Sequence, residues 1–80
     1  MYIEITVDLN RYQKGRVLDL RLSNYHTVKK LIDLVWQSQK LTSEPREGYW
    51  IRISNKDLVI SGNARLNEAG ILSGDRVEIL

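Results

Sequence analysis

The sequence predicts an α+β fold in which one amphipathic helix lies across one face of a mixed five-stranded sheet. Three observations carry that prediction. Two segments with apolar and polar residues in alternation precede the one run with helical spacing, two short alternating segments follow it, and a last one, Arg76 to Leu80, closes the chain. At 80 residues the chain has room for one domain, spanning 1–80, near the lower size at which an apolar core alone holds a fold. Its composition, 42% apolar and 28% charged, is that of a globular domain and not of a disordered segment.

In residues 2–9, Ile3, Ile5, Val7 and Leu9 point one way and Tyr2, Glu4, Thr6 and Asp8 the other, the mark of a half-buried strand. Gln13-Lys14-Gly15 supplies a turn, with a glycine free to take a positive φ. Leu18, Leu20 and Leu22 then alternate with Val17, Asp19 and Arg21, which completes a hairpin. Thr27 can cap a helix whose apolar positions Val28, Leu31, Ile32, Val35 and Trp36 recur at about 3.6 residues. Lys40 suits the negative end of its dipole. Thr42 to Gly48, with the only proline, is a connecting loop. Tyr49, Ile51 and Ile53 alternate with Trp50, Arg52 and Ser54. Asn55-Lys56-Asp57 turns the chain into a short strand, Leu58-Val59-Ile60. Leu66 to Ala69 can form one helical turn closed by Gly70, Ile71 fills the core, and Gly74-Asp75 leads into the last strand with Val77 and Ile79 inward.

Several classes of function are disfavoured by what the residues lack. The net charge of +2 comes from 12 basic and 10 acidic residues scattered in both signs, whereas a nucleic-acid binder gathers its basic residues on one face. There is no cysteine and one histidine, so neither a disulfide framework nor a thiolate nucleophile nor an ordinary zinc site is available. The expected compartment is reducing and hence cytoplasmic. Met1 leads directly into a strand with no basic and apolar leader, and no segment approaches the roughly 20 apolar residues of a membrane span. Gly62, Gly70 and Gly74 lack the spacing and the lysine of a phosphate loop. Asp8, Asp19 and Asp75 form no carboxylate pair legible from spacing, and His26 has no cysteine, serine–acid pair or second histidine beside it. No catalytic constellation, cofactor site or metal site emerges, so the expectation is a protein that is not an enzyme.

The first and last strands carry the branched inward residues and belong side by side in the centre of the sheet. That order of elements is the β-grasp. Arg65-Leu66-Asn67-Glu68-Ala69-Gly70-Ile71-Leu72-Ser73-Gly74-Asp75 is similar to the corresponding stretch of ubiquitin-like domains. A closer resemblance runs through Tyr2-Ile3-Glu4-Ile5-Thr6-Val7-Asp8-Leu9, Asp19-Leu20-Arg21-Leu22-Ser23-Asn24-Tyr25-His26, Pro45-Arg46-Glu47-Gly48-Tyr49-Trp50-Ile51-Arg52 and Gly74-Asp75-Arg76-Val77-Glu78-Ile79-Leu80. Together these look like the YukD/EsaB family, small cytosolic ubiquitin-like proteins of the type VII (WXG100) secretion system. The resemblance implies a non-conjugating accessory component, peripheral to a membrane complex. It implies as partners the cytosolic domains of membrane-associated subunits, an ATPase or a pseudokinase-like protein. It carries over no catalytic residues. Nor does the chain resemble a secreted WXG100 substrate, since neither Trp36 nor Trp50 begins a Trp-x-Gly turn.

Alternation assigns Trp50, Arg52, Arg76, Tyr2 and Arg21 to the helix-free face, interleaved with Glu4 and Glu78. Aromatics mixed with arginines are the composition of interface hot spots, and these five are the expected partner-binding residues. The competing possibilities are that Trp50 packs over Arg76 or Tyr2 and that the carboxylates neutralise the arginines in cross-strand pairs. Trp36 reads as core, and Lys29, Lys30 and Asp33 as a solvated helix face. Two other functions compete with an adaptor. A ubiquitin-like modifier or sulfur carrier needs a Gly-Gly end, where this sequence has Leu80. A nucleic-acid-binding module would act through Arg21, Arg52, Arg76 and Trp50.

Overall fold

The computed structural model describes residues 1–80, in the order β1 (Tyr2–Asp8), β2 (Val17–Ser23), α1 (Val28–Gln39), β3 (Ile51–Ile53), β4 (Leu58–Ile60) and β5 (Arg76–Ile79). The strands form one sheet in the order β2-β1-β5-β3-β4. β1 and β5 are parallel neighbours at its centre, as their branched residues predict, and every other pairing is antiparallel. Fifteen buried apolar residues make a continuous core, in which Ile3, Ile5, Val7 and Leu9 of the first alternating segment meet Val28, Leu31, Ile32 and Val35 of α1.

The helix begins where the Thr27 side chain accepts the Lys30 N–H at 3.1 Å. It ends at Lys40, whose φ of 52° and ψ of 46° are left-handed and whose N–H bonds back to the Trp36 carbonyl. Lys40 thus closes the helix through its backbone conformation. Trp36 is only partly buried. Its ring meets Tyr12 edge-on, with centroids 4.7 Å apart, and its Nε1 donates to the Ser43 carbonyl at 2.7 Å. Tyr12 in turn donates its hydroxyl proton to the Leu80 carbonyl at 2.8 Å and accepts the Arg46 N–H at 3.0 Å. One aromatic pair therefore pins the loop after α1 to the end of the last strand.

Two features differ from the sequence expectation, and a third agrees with it. β3 starts at Ile51 and not at Tyr49, because Gly48 (φ 88°) and Tyr49 (φ 51°) are both left-handed and break the alternation. Leu18 and Leu20 point inward as expected but are only half-buried, since β2 is an edge strand with a neighbour on one side. Residues 66–69 form the single turn that the sequence predicts. The Ala69 N–H reaches the Arg65 carbonyl at 2.9 Å, and Gly70 (φ 76°) closes the turn so that Ile71 enters the core.

Candidate functional site

Strand register fixes which residues share the helix-free face. Thr6 lies beside Arg76 and Asp19, while Asp8 lies beside Glu78, which lies beside Arg52, which lies beside Val59. The centre of this face is neutralised: Arg76 pairs with Asp8 at 3.2 Å and Arg11 with Glu78 at 3.3 Å. Such exposed pairs are worth at most about 1 kcal/mol each. Their effect here is to occupy Arg76, so of the five expected binding residues it is the least available. Arg52, although opposite Glu78, takes part in no ion pair.

The other expected residues sit at opposite ends. Tyr2 is two-thirds exposed at the start of β1, and the Arg21 guanidinium lies 5.5 Å from its ring centroid. This cation–π pair borders a shallow groove of about 560 Å³ lined by β1 from Tyr2 to Thr6 together with Asp19, Arg21, Ser73 and Gly74. Trp50 is at the other end. The Leu80 N–H donates to the Trp50 carbonyl at 3.1 Å, which extends the β3–β5 ladder by one residue and sends the indole out on the side of Arg52. Register puts Trp50 some eight residues beyond Tyr2 along the strands, roughly 25 Å at about 3.3 Å per residue. Four of the five residues therefore make two separate clusters, Tyr2 with Arg21 and Trp50 with Arg52, and Arg76 lies between them in its pair with Asp8.

Trp50 packs over neither Arg76 nor Tyr2. Its ring lies against Gly48, where an added Cβ would stand 2.5 Å from Nε1, and 45% of the residue remains exposed. Val59, 52% exposed and directly opposite Arg52, adds an apolar neighbour that the sequence reading missed. The alternation of Leu58, Val59 and Ile60 held the signal, because Ile60 packs against the core and Val59 must face the other way. Gly48→Ala should displace the indole as well as strain a left-handed position, costing about 1–2 kcal/mol. The expected readout is a shifted Trp50 indole N–H resonance with the Trp36 resonance unmoved.

Sequence reasoning also missed the one buried charge. Asp75 is 5% exposed; its Oδ1 accepts from Asn55 at 2.9 Å, and its Oδ2 accepts the Leu72 N–H at 2.9 Å and meets Lys56 Nζ at 2.9 Å. Burial alone would raise its pKa. The Leu72 N–H, the Asn55 amide and the Lys56 ammonium outweigh that and hold it below the ordinary carboxylate value. The arrangement is structural, tying the β3–β4 turn to the entry of β5. No group of His, Cys, Asp or Glu is placed to hold a metal ion, and no helix is long and apolar enough to cross a membrane.

A helix across a mixed sheet of order β2-β1-β5-β3-β4 is the ubiquitin-like fold. Solved structures agree on the fold. Ubiquitin of Caldiarchaeum subterraneum superposes with a TM-score of 0.73 at 19% identity, covering 99% of this chain and 91% of that one. The C-terminal ubiquitin-like domain of mouse tubulin-specific chaperone e gives 0.68 at 15% identity over 98% and 84%. Sequence relatives narrow the class to bacterial secretion. The family described as "WXG100 protein secretion system (Wss), protein YukD" matches residues 2–79. The ESX secretion system protein YukD of Bacillus subtilis (strain 168) is 59% identical over 80 residues, the whole of both chains. The chain belongs to the YukD family.

Proposed function

We propose that the chain acts as a noncovalent, non-enzymatic adaptor of a type VII (WXG100) secretion system, one ubiquitin-like domain that docks cytosolic parts of the apparatus through its sheet. It works in the cytoplasm at the periphery of the membrane complex, and its partners are the cytosolic domains of a membrane ATPase or pseudokinase-like subunit. The observation that carries this reading is the cluster at the β3 end: a half-exposed indole beside an arginine with no ion pair and an exposed valine. An aromatic anchor next to an available guanidinium is the composition of a binding hot spot. Tyr2 and Arg21, at the far end of the same face, form a second contact.

The test separates binding from folding. Trp50→Ala combined with Arg52→Gln removes the anchor and the charge without setting a carboxylate opposite Glu78, while leaving Ile51 and Ile53 in the core. Unfolding should stay near native, with secretion impaired and capture of the membrane-associated components weakened by tenfold or more, on the order of 1.4 kcal/mol or above. A double variant that folds and supports normal secretion would remove this site, and the helix face around Lys29, Lys30 and Asp33 would be tested next.

A further inference from the structure

We propose that β2 is a self-pairing edge: two copies of this chain join β2 to β2, antiparallel about a two-fold axis at Leu20, into one continuous sheet. The inference goes beyond the adaptor reading and does not depend on it. β2 is the outermost strand on its side of the sheet and pairs in unbroken register over Val17 to Ser23. It contains no proline, no lysine and no bulge, three of the devices that keep edge strands from pairing, and its two charges, Asp19 and Arg21, are of opposite sign. The opposite edge, β4, is only three residues long.

The hydrogen-bond pattern determines which groups are free. The Asn24 N–H donates to the Met1 carbonyl and the Leu9 N–H donates to the Arg16 carbonyl, so even-numbered residues of this strand bond to β1. Val17, Asp19 and Arg21 therefore direct their N–H and C=O groups outward, as does the Ser23 N–H, whereas the Ser23 carbonyl already accepts the His26 N–H at 3.2 Å. An antiparallel partner must oppose odd residues to odd ones. With the axis at Leu20, Asp19 faces Arg21 of the second copy and Arg21 faces its Asp19, while Val17 and Ser23 face each other's counterparts. These are the hydrogen-bonded pairs, with about six backbone bonds in all once the two occupied Ser23 carbonyls are left out. Moving the axis to residue 19 or 21 would oppose two aspartates or two arginines, which is destabilising. A one-residue slip would set outward groups against inward ones and leucines against charges.

Side chains fit the same axis. Asp19 and Arg21 belong to no ion pair within the chain; Asp19 Oδ1 accepts only the Thr6 hydroxyl at 3.2 Å, and Arg21 rests on Tyr2. On the helix side, half-buried Leu18 and Leu20 pack against the core with one flank open. In the pair, Leu20 meets its own symmetry mate, while Leu18 lies opposite Leu22 of the second copy, which is already buried in its own core, so the half-buried Leu18 and Leu20 side chains supply the apolar surface that closes that flank.

Sedimentation of the intact chain from about 1 μM to about 1 mM should show a monomer–dimer equilibrium that strengthens at low salt. Arg21→Asp opposes aspartates at two symmetric positions and should weaken the dimer about tenfold or more. Adding Asp19→Arg to it restores opposite charges and should restore the dimer. Because the chain has no cysteine, Leu20→Cys reports on the axis: mild oxidation should give a disulfide-linked dimer, and Leu18→Cys should not. A chain that stays monomeric at about 1 mM overturns the proposal, even if the edge accepts a foreign peptide. So does an Arg21→Asp variant that associates as well as the parent, or equal crosslinking at positions 18 and 20. The charge variants lie at exposed positions, so a folding defect in Leu20→Cys would leave the sedimentation result decisive.

Discussion

Ile5→Ala is expected to lower the free energy of unfolding by about 2–5 kcal/mol, read as a reduced urea midpoint with an unchanged slope. Ile5 is 2% exposed on the strand next to the sheet centre, opposite Leu20 and within the core cluster that includes α1. β5 begins opposite Thr6, so beside Ile5 the sheet is completed by the turn at Ser73 and Gly74, where the Ser73 hydroxyl accepts the Glu4 N–H at 3.2 Å and the Gly74 N–H reaches the Glu4 carbonyl at 2.8 Å. Backbone held in this way cannot collapse into the space three lost carbons leave, which favours a cavity over relaxation. In a domain with typical total stability of about 5–15 kcal/mol the loss is a large share. Val17→Ala, on the exposed side of β2, should change stability by no more than about 0.5 kcal/mol. A loss below about 1 kcal/mol at Ile5 would contradict its place in the core.

Why Ile5 could be placed from sequence, and Trp50 only in part, is a matter of how far alternation reaches. β1 reads cleanly because seven paired residues keep period two and every inward one is branched or aliphatic and buried. The same rule at β3 has three residues to work with. It placed Arg52 correctly and could not foresee that Gly48 and Tyr49 would both turn left-handed just upstream. The helix was legible from its cap and its 3.6-residue spacing. Its left-handed end at Lys40 was not, because lysine carries no preference for that conformation. The family was legible because the resemblance extends over the whole chain. The split of the binding candidates into two clusters was not: faces follow from alternation, but distance along a face needs the register between β1, β5 and β3, which is set by the intervening loops. Asp75 escaped for a related reason. It looks like any turn aspartate until Asn55 and Lys56, from a turn about 20 residues earlier in sequence, are folded against it.

Asp75 is also where pH should act most strongly on stability. Its carboxylate receives three partners while almost wholly buried, and two of them organise further contacts: Asn55 Oδ1 accepts the Arg76 N–H at 2.9 Å, and Lys56 Nζ donates to the Gly70 carbonyl at 2.7 Å. Asp75→Ala leaves the Leu72 N–H and the Asn55 amide without their acceptor and the ammonium without its counter-ion, an expected cost of about 2–4 kcal/mol. Asp75→Asn keeps the shape and one acceptor, removes the charge and turns an amide N–H2 toward a group that is itself a donor, so the pH dependence, and not the size of the loss at one pH, separates the charge from the hydrogen bonds. The sign follows from linkage. A carboxyl whose pKa is lower folded than unfolded, where it titrates near the ordinary value of about 3.9, adds stability that is fully present above that value. The contribution disappears as pH falls through the lower folded pKa, because protonated aspartate is then neutral in both states. The stability difference between the parent chain and Asp75→Asn, measured by urea unfolding, should therefore be constant from about pH 5 to 7 and shrink progressively below about pH 4. A difference that stays the same down to about pH 2.5 would mean that the geometry of the side chain, and not its charge, holds the β3–β4 turn against β5.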